Sequence, residues 1–276
     1  MFVYVYDNKG KDVGGKYLQV LVEYLDKYSI SYKVLNDDEL SCSSGADALF
    51  VLGGDGTILW LIEYANRNKI PLIGINVGKL GFLSEFEVGE IELAVKLFSE
   101  SKFVVDSRTT LKITFDDKVY YCLNDVYLHR IYTKESGCMT ADIMINIDEK
   151  VAERFKGDGV IISSPTGSTA YSLSAGGPIL APNVNAFSIT PIAAHAFSQR
   201  TIVCSSDSKC AITLLGRASA NLFADGRYIS QINKGESIKV EKAENNTLFL
   251  RKENFDFYNR LSEKLKFDSG ERCIKS

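Results

Sequence analysis

Apolar residues along the first hundred positions recur with two alternating periods. Phe2 to Tyr6 is a short apolar-rich run that predicts a strand, while Gly14 to Tyr28 carries Leu18, Leu21, Val22 and Leu25 at helical spacing. Ala48 to Leu52 is continuously apolar and ends on a glycine cluster, which predicts a buried strand. Thr57 to Asn68 then predicts a helix, Pro71 to Asn76 a strand, and Glu90 to Glu100 another helix. Strands separated by helices of this length imply a parallel sheet covered by helices. Trp60, inside the second of these helices, is expected to pack in the core.

The pattern changes near Phe103. From there to Lys252 helical spacing nearly disappears, and short β-rich runs follow one another, punctuated by turn residues such as Asp116-Asp117 and Asn233-Lys234-Gly235. Helical spacing returns with Phe255, Tyr258, Leu261 and Leu265. The expected fold class is therefore α/β plus all-β. It comprises a Rossmann-like α/β domain over residues 1–102, a β-sandwich-like domain over 103–252, and a C-terminal helix within 253–276 that packs back on the first domain.

Composition removes several classes. Of 276 residues, 45% are hydrophobic and 24% charged, which is ordinary globular usage and not that of a disordered or fibrous chain. The formal net charge of -3 argues against a nucleic-acid partner, which requires a basic face. No stretch reaches the ~18 apolar residues of a membrane span. The opening run is too short for a signal-peptide core and lacks a basic leader. The six cysteines form no CxxC pair and there are two histidines, so the thiols read as reduced and no protein metal site is expected. These features together lead us to expect a cytoplasmic protein.

The most informative local feature is Gly53-Gly54-Asp55-Gly56-Thr57, where a buried strand gives way to a helix. Glycines there let backbone amides approach a ligand closely, and a helix N-terminus favours phosphate. The segment is neither the GxGxxG fingerprint nor a Walker A loop. Asp55 does not suit a pure phosphate cradle, because a carboxylate beside phosphates is repelled unless chemistry requires it. Accepting a proton from an attacking hydroxyl is one such task. The other reading is a tight turn with Asp55 as helix N-cap, and the residues alone leave both open.

Three further segments stand out. Asn76-Val77-Gly78-Lys79-Leu80-Gly81-Phe82-Leu83-Ser84 again follows a strand; it reads either as a ligand-approaching loop or as a plain connection anchored by Phe82 and Leu83. Asn124-Asp125 interrupts an apolar β-run, as a bulge or as a ligand-binding pair. From Gly157 to Pro178 a buried strand opens into hydroxyls, small residues and Tyr171. Hydroxyls donate to sugar or amide oxygens, and a tyrosine ring can stack on a base. His129 and His195 have no triad partners in sequence and read as structural.

Taken in order and spacing, GGDGT at 53–57, NVGKLGFL at 76–83, Asn124-Asp125, DGVIISSPTGSTAYSLSAGGPIL at 158–180 and Asp225-Gly226-Arg227 resemble the NAD kinases, the bacterial branch in particular. The resemblance implies a diacylglycerol-kinase-like α/β domain and transfer of the ATP γ-phosphate to the 2′-hydroxyl of the adenosine ribose of NAD, with a divalent cation such as magnesium. It implies Asp55 as the base, with Gly53, Gly54, Gly56 and Thr57 against phosphate and Asp55 and Gly56 also near the ribose. Asn124 and Asp125 would hold the adenine and its ribose, Lys156 would lie near the phosphates, and Asp158 would face the nicotinamide half. Thr169, Ala170, Tyr171, Ser172, Leu173 and Ser174 would line the pocket. Ala193 and Arg227 match more variable positions, and Arg227 stands where the family often has glutamine. A family position often occupied by His or Arg falls near Ser136 to Thr140 without a clean match. A homodimer or homotetramer is implied, with no membrane or nucleic-acid partner. A lipid or sugar kinase built on the same turn suits the hydroxyl-rich run less well, and a non-catalytic dinucleotide sensor would not need Asp55.

Overall fold

The structure is a computed structural model, described over residues 1–41, 45–78, 81–132, 140–195 and 199–265. The chain forms two compact units, Met1–Asp106 with Leu248–Ser276, and Ser107–Thr247.

In the first unit the strands are β1 (Phe2–Asp7), β2 (Ser31–Leu35), β3 (Ala48–Leu52), β4 (Leu72–Asn76), β5 (Phe86–Glu87), β6 (Val104–Arg108) and, near the C-terminus, β19 (Thr247–Arg251). Among the described residues they form one seven-stranded sheet in the order β2-β1-β3-β4-β19-β6, with β5 beside β4. The pairs β1–β2, β1–β3 and β3–β4 are parallel. β3 and β4 are buried at every residue, as strands covered on both faces must be. Helices α1 (Lys16–Lys27) and α3 (Ile91–Ser99) bring Leu21, Leu25, Ala94 and Val95 onto Phe50, Leu52, Ile73 and Ile75. Helix α2 (Asp55–Asn68) sets Ile58 against Gly74, which points to the sheet's other face.

Two details differ from the sequence pattern. Trp60 is 46% exposed and not in the core. The buried stripe of α2 is Ile58, Leu61, Ile62 and Ala65, and Trp60 lies about 200° around the helix from Ile58. Strand β2 has no signature in the pattern because only Leu35 among its residues is buried.

The second unit is a sandwich of two antiparallel sheets. Its remaining strands are β7 (Leu111–Phe115), β8 (Lys118–Cys122), β9 (Asp125–Arg130), β10 (Ala141–Ile147), β11 (Lys150–Gly157), β12 (Gly159–Ser163), β13 (Ala186–Ile192), β14 (Ile202–Ser205), β15 (Cys210–Leu214), β16 (Ala220–Ala224), β17 (Arg227–Ile232) and β18 (Ser237–Lys242). Among the described residues one sheet runs β11-β10-β15-β18-β7-β8 and the other β14-β13-β12-β9-β16-β17. Alternate residues of both, Ile113, Ile143, Ile212 and Val240 from the first and Val126, Leu128, Ile162 and Leu222 from the second, meet in one core. Left-handed residues make the hairpin turns at Asp116-Asp117, Asp148-Glu149 and Asp225-Gly226. Helix appears in this unit only as short turns among the described residues, a 3-10 turn at Thr166–Thr169 and α4 (Tyr171–Ser174). Helix α5 (Phe257–Leu265) closes the described chain. No helix among the described residues is long and apolar enough to cross a membrane.

Candidate active site

The glycine turn lies at the carboxyl end of β3. Gly53 N–H donates to Ile75 O at 3.0 Å, which docks the turn onto β4. A Cβ at Gly53 would fall inside the Thr57 side chain, so glycine there is required by the protein itself. Gly54 and Gly56 differ, since a Cβ at either meets nothing within 4 Å among the described residues. Packing among the described residues therefore does not demand glycine at these two positions. Gly54 is the N-cap of α2 and, as a glycine, offers no side-chain acceptor to the amides of the helix N-terminus. The Thr57 hydroxyl is buried and accepts Asn8 Nδ2–H at 2.7 Å, tying the turn to the loop after β1.

Asp55 is the first residue of α2, not its N-cap. Its carboxylate reaches instead to the segment after β4. Oδ2 accepts Phe82 N–H at 2.7 Å, while Oδ1 accepts Leu83 N–H at 3.1 Å, Ser84 N–H at 3.3 Å and Ser84 Oγ–H at 3.2 Å. A Cβ at Gly81 would coincide with this carboxylate, which explains glycine there. The second glycine-bearing motif thus serves the first by holding its carboxylate. Of its expected core anchors, Leu83 is buried and Phe82 half-buried, while Lys79 and Leu80 lie outside the described residues. The segment is gripped from behind by two arginines that the sequence reading did not single out. Arg251 Nη1 donates to Leu83 O at 2.9 Å and pairs with Glu85 at 3.2 Å, and Arg260 Nη1 donates to Gly81 O at 3.0 Å.

In the second unit, Asn124 and Asp125 form the entry to β9. The pairing of β9 with β12 runs from Ser163–Asp125 to Gly159–His129 without a shift, so the pair is not a bulge. Leu123, Asn124 and Asp125 all donate their N–H groups to Asp225, at 2.8, 2.7 and 3.3 Å. Part of Asp225 is exposed at its turn while its carboxylate is enclosed, and burial pushes that carboxyl up to about 6 against the three amides and the Arg227 charge. Asp125, 4% exposed, is pushed up to about 7 by burial first and then by the Asp225 charge, partly offset by the Tyr171 N–H. Asp225 had appeared only as part of a motif; its role in fixing the Asn124-Asp125 backbone is a tertiary fact. Gly167 packs against the Asn124 backbone with no room for a Cβ.

The hydroxyl-rich run is largely turned inward. Ser163, Ser164, Ser168 and Ser172 are each fully buried. Ser168 Oγ donates to Pro165 O at 2.6 Å, and Ser172 Oγ bonds Thr190 Oγ1 at 3.0 Å. Hydroxyls expected to face a sugar are instead internal cross-links, because a helical turn packed on the sheet must satisfy its own polar groups. Thr169, Ala170, Tyr171 and Leu173 are half-buried and Ser174 exposed, so these present surface where Ser172 does not. The Tyr171 ring packs edge-on to Tyr127 at 4.9 Å, and Tyr127 stacks on Phe223 at 4.8 Å.

Asp158, at the β11–β12 junction, is held by two residues the sequence reading missed. Arg130 Nε pairs with its Oδ1 at 2.6 Å, Tyr132 Oη–H donates to its Oδ2 at 3.1 Å, and the Arg130 guanidinium lies over the Tyr132 ring at 4.1 Å. Lys156 is exposed at the end of β11, with its carbonyl accepting His195 N–H at 3.0 Å. Ala193 is exposed and left-handed after β13. Arg227 opens β17, where its charge acts on Asp225. Of the segment Ser136 to Thr140, only Thr140 lies within the described residues. His129 bonds a backbone oxygen through Nδ1, in keeping with a structural residue. Among the described residues no group of three or more His, Cys, Asp and Glu side chains could hold a metal ion.

Both units match the domains of one group of phosphotransferases. Residues 18–103 match the ATP-NAD kinase N-terminal domain and residues 123–252 the ATP-NAD kinase C-terminal domain. The chain belongs to the NAD kinase family. It is 33% identical over 267 residues to the NAD kinase of Caldicellulosiruptor saccharolyticus, an alignment covering 96% of this chain and 100% of the relative. It is 38% identical over 226 residues to that of Carboxydothermus hydrogenoformans, covering 80% and 79%. Among solved structures it resembles yeast NADH kinase complexed with NADH, with a TM-score of 0.86, 26% identity and coverage of 98% and 88%. It also resembles an NAD kinase from Archaeoglobus fulgidus in complex with ATP, with a TM-score of 0.79, 25% identity and coverage of 96% and 99%.

Proposed function

We propose that this chain transfers the γ-phosphate of ATP to the 2′-hydroxyl of the adenosine ribose of NAD, giving NADP and ADP, with Asp55 as the general base. The ribose oxygen attacks the γ-phosphorus, the bond to the ADP oxygen breaks, and the hydroxyl proton passes to the Asp55 carboxylate. The observation that carries this reading is the way Asp55 is held. Four donors from Phe82–Ser84 orient the carboxylate, and beside it Gly54 and Gly56 leave room, among the described residues, at a helix N-terminus capped by glycine. Oriented acceptors and open amides are what proton abstraction next to a phosphate requires. Gly53 and Thr57 support the turn from within while Gly54 and Gly56 meet phosphate. Magnesium enters with ATP as part of the substrate and neutralises its phosphates.

On the acceptor side we assign Asn124 and Asp125 to the adenine and its ribose, Asp158 to the nicotinamide half and Lys156 to the phosphates. Thr169, Ala170, Tyr171, Leu173 and Ser174 line the dinucleotide, with Ser172 supporting them from below. Ala193 and Arg227 border the site. We further propose that the enzyme works in the cytoplasm as a homodimer or homotetramer, a state that sedimentation would read directly.

The test is an assay for NADP formation with NAD, ATP and magnesium, run on the wild type and on Asp55→Asn. NADP from the wild type and at least a ~100-fold loss of kcat in the variant, with NAD binding kept, is the expected result. Near-normal turnover by Asp55→Asn would remove the base assignment.

A further inference from the structure

The loop that holds Asp55 is itself held through the same peptide groups. A trans peptide is planar, with its C=O and N–H pointing opposite ways, so a donor on the oxygen stands directly behind whatever accepts from the nitrogen. The Gly81–Phe82 peptide gives its N–H to Asp55 Oδ2 at 2.7 Å, and its oxygen accepts from Arg260 Nη1 at 3.0 Å. The Leu83–Ser84 peptide gives its N–H to Asp55 Oδ1 at 3.3 Å, and its oxygen accepts from Arg251 Nη1 at 2.9 Å. Two of the donors on the carboxylate are therefore backed, one peptide away, by a guanidinium.

The two arginines are placed differently. Arg251 is buried at the end of β19, where it pairs with Asp106 at 3.0 Å and Glu85 at 3.2 Å. Arg260 comes from α5, a helix with no fully buried residue among those described. Its Nη1 also donates to Ser84 O at 2.5 Å, so one nitrogen bridges the two ends of the segment that carries the Asp55 donors. The next amide, Glu85 N–H, is fixed to Gly74 O on β4 at 2.9 Å. Two contacts aim α5 at this place. Asp256 accepts the N–H groups of Tyr258 at 2.8 Å and Asn259 at 3.3 Å, which caps the first turn. The Phe255 ring lies beneath both guanidiniums, 4.4 Å from Arg251 and 5.4 Å from Arg260. A charged donor makes the stronger hydrogen bond, and a bonded chain polarises along its length, so a cation on the Gly81 oxygen strengthens the Phe82 N–H as a donor to Asp55.

We propose that Arg260 is a positioning residue for the phosphoryl transfer. Through the Gly81–Phe82 peptide it fixes the Asp55 carboxylate, so the docking of α5 sets the turnover of a site to which the helix contributes no reacting group. This rests on the reading of Asp55 as the base. A helix that buries no residue fully opens at low cost, and its release slows the chemistry without unfolding the sheet.

Two variants test this. Arg260→Ala removes both bridges, and Arg260→Lys keeps a cation near Glu85 but lacks the planar fork that spans two carbonyls. Thermal unfolding checks that each folds, and Arg260→Lys decides on the same readouts where Arg260→Ala does not fold. The readouts are kcat and the KM values in the NADP assay, and hydrogen exchange of the Phe82 amide followed by NMR. We expect kcat to fall about tenfold in Arg260→Ala and about threefold in Arg260→Lys, with KM for NAD and ATP within about twofold of wild type. Phe82 exchange should quicken at least ~tenfold in Arg260→Ala. Within Asp55→Asn, adding Arg260→Ala should cost less than about twofold in kcat, because the group being positioned is already gone. A full tenfold loss in that background would show that Arg260 acts by another route and overturn the proposal. Wild-type kcat in folded Arg260→Ala overturns it as well, and leaves the base reading to stand on Asp55→Asn alone. Near-normal turnover by Asp55→Asn removes the base and the proposal together. With no NADP from the wild type, faster Phe82 exchange in Arg260→Ala keeps the hold on Asp55 and sinks the kinase reading, while unchanged exchange sinks both.

Discussion

Replacing Gly81 by alanine puts a methyl group into the space that the Asp55 carboxylate occupies. Something must move, and the structure indicates which side yields. The Gly81–Ser84 segment is held from behind by Arg260 on Gly81 O at 3.0 Å and by the buried Arg251 on Leu83 O at 2.9 Å. The Asp55 side chain is held by the four bonds it accepts from Phe82–Ser84 and by no cap bond of its own helix. It is therefore the carboxylate that swings away. A misplacement of about an ångström at a reacting group costs ~100-fold in rate, or about 2.7 kcal/mol of barrier. Overpacking adds about 1–3 kcal/mol of lost stability.

The assay pairs steady-state NADP formation with direct NAD titration and thermal unfolding. We expect kcat to fall about 100-fold while NAD affinity changes less than about threefold. Gly54→Ala is the control, because its Cβ meets nothing within 4 Å among the described residues and the unfolding temperature should move by no more than the small cost of alanine at an N-cap. Any loss of activity there reports ligand approach and not internal strain. A folded Gly81→Ala protein that turns over at near the wild-type rate would refute the argument that this loop positions Asp55.

Three further outcomes are expected. The Asp125 and Asp225 carboxyls, held up to about 7 and about 6, lie above the ordinary 3.8, so the folded chain binds more protons than the unfolded chain between them. Their contribution to stability is full below about pH 4 and is lost as pH rises through about 6 and 7, so Asp125→Asn should raise the unfolding temperature more at pH 8 than at pH 5, and equal shifts would contradict it. Tyr171→Ala should weaken NAD binding up to about tenfold and leave kcat within about twofold, since an aromatic contact acts mainly on binding; unchanged NAD affinity would count against it. Arg251→Ala should destabilise the fold by about 1–3 kcal/mol in denaturant unfolding, because buried Glu85 loses its 3.2 Å partner while keeping Arg260 at 3.6 Å, and a loss below about 0.5 kcal/mol would show the pair to be dispensable.

The order of elements in the first unit was legible in the chain because its inner strands are buried on both faces and its helices on one, and each condition writes its own period. Ala48–Leu52 needed no structure to be read as a strand. The edge strand β2 was invisible for the opposite reason, since water on most of its surface leaves no apolar pattern. The glycine turn between β3 and α2 was legible as well, because close backbone approach leaves glycine as its mark. What glycine cannot say is what approaches. Gly53 and Gly81 make room for Thr57 and Asp55, whereas Gly54 and Gly56 make room for nothing among the described residues.

Tertiary structure alone decided the rest. It turned Trp60 outward, because the phase of a helix is set by the sheet it packs on and not by the size of one residue. It spent the hydroxyls of Ser163, Ser164, Ser168 and Ser172 on the fold, since buried polar groups must find partners nearby. Asp225 was brought to the amides of Leu123, Asn124 and Asp125 from about a hundred residues away, and Arg251 to Leu83 and Glu85 from still further. Which residues are candidates for chemistry is written in local composition, but which residues hold them in place depends on long-range pairing, and a single sequence holds no local trace of that.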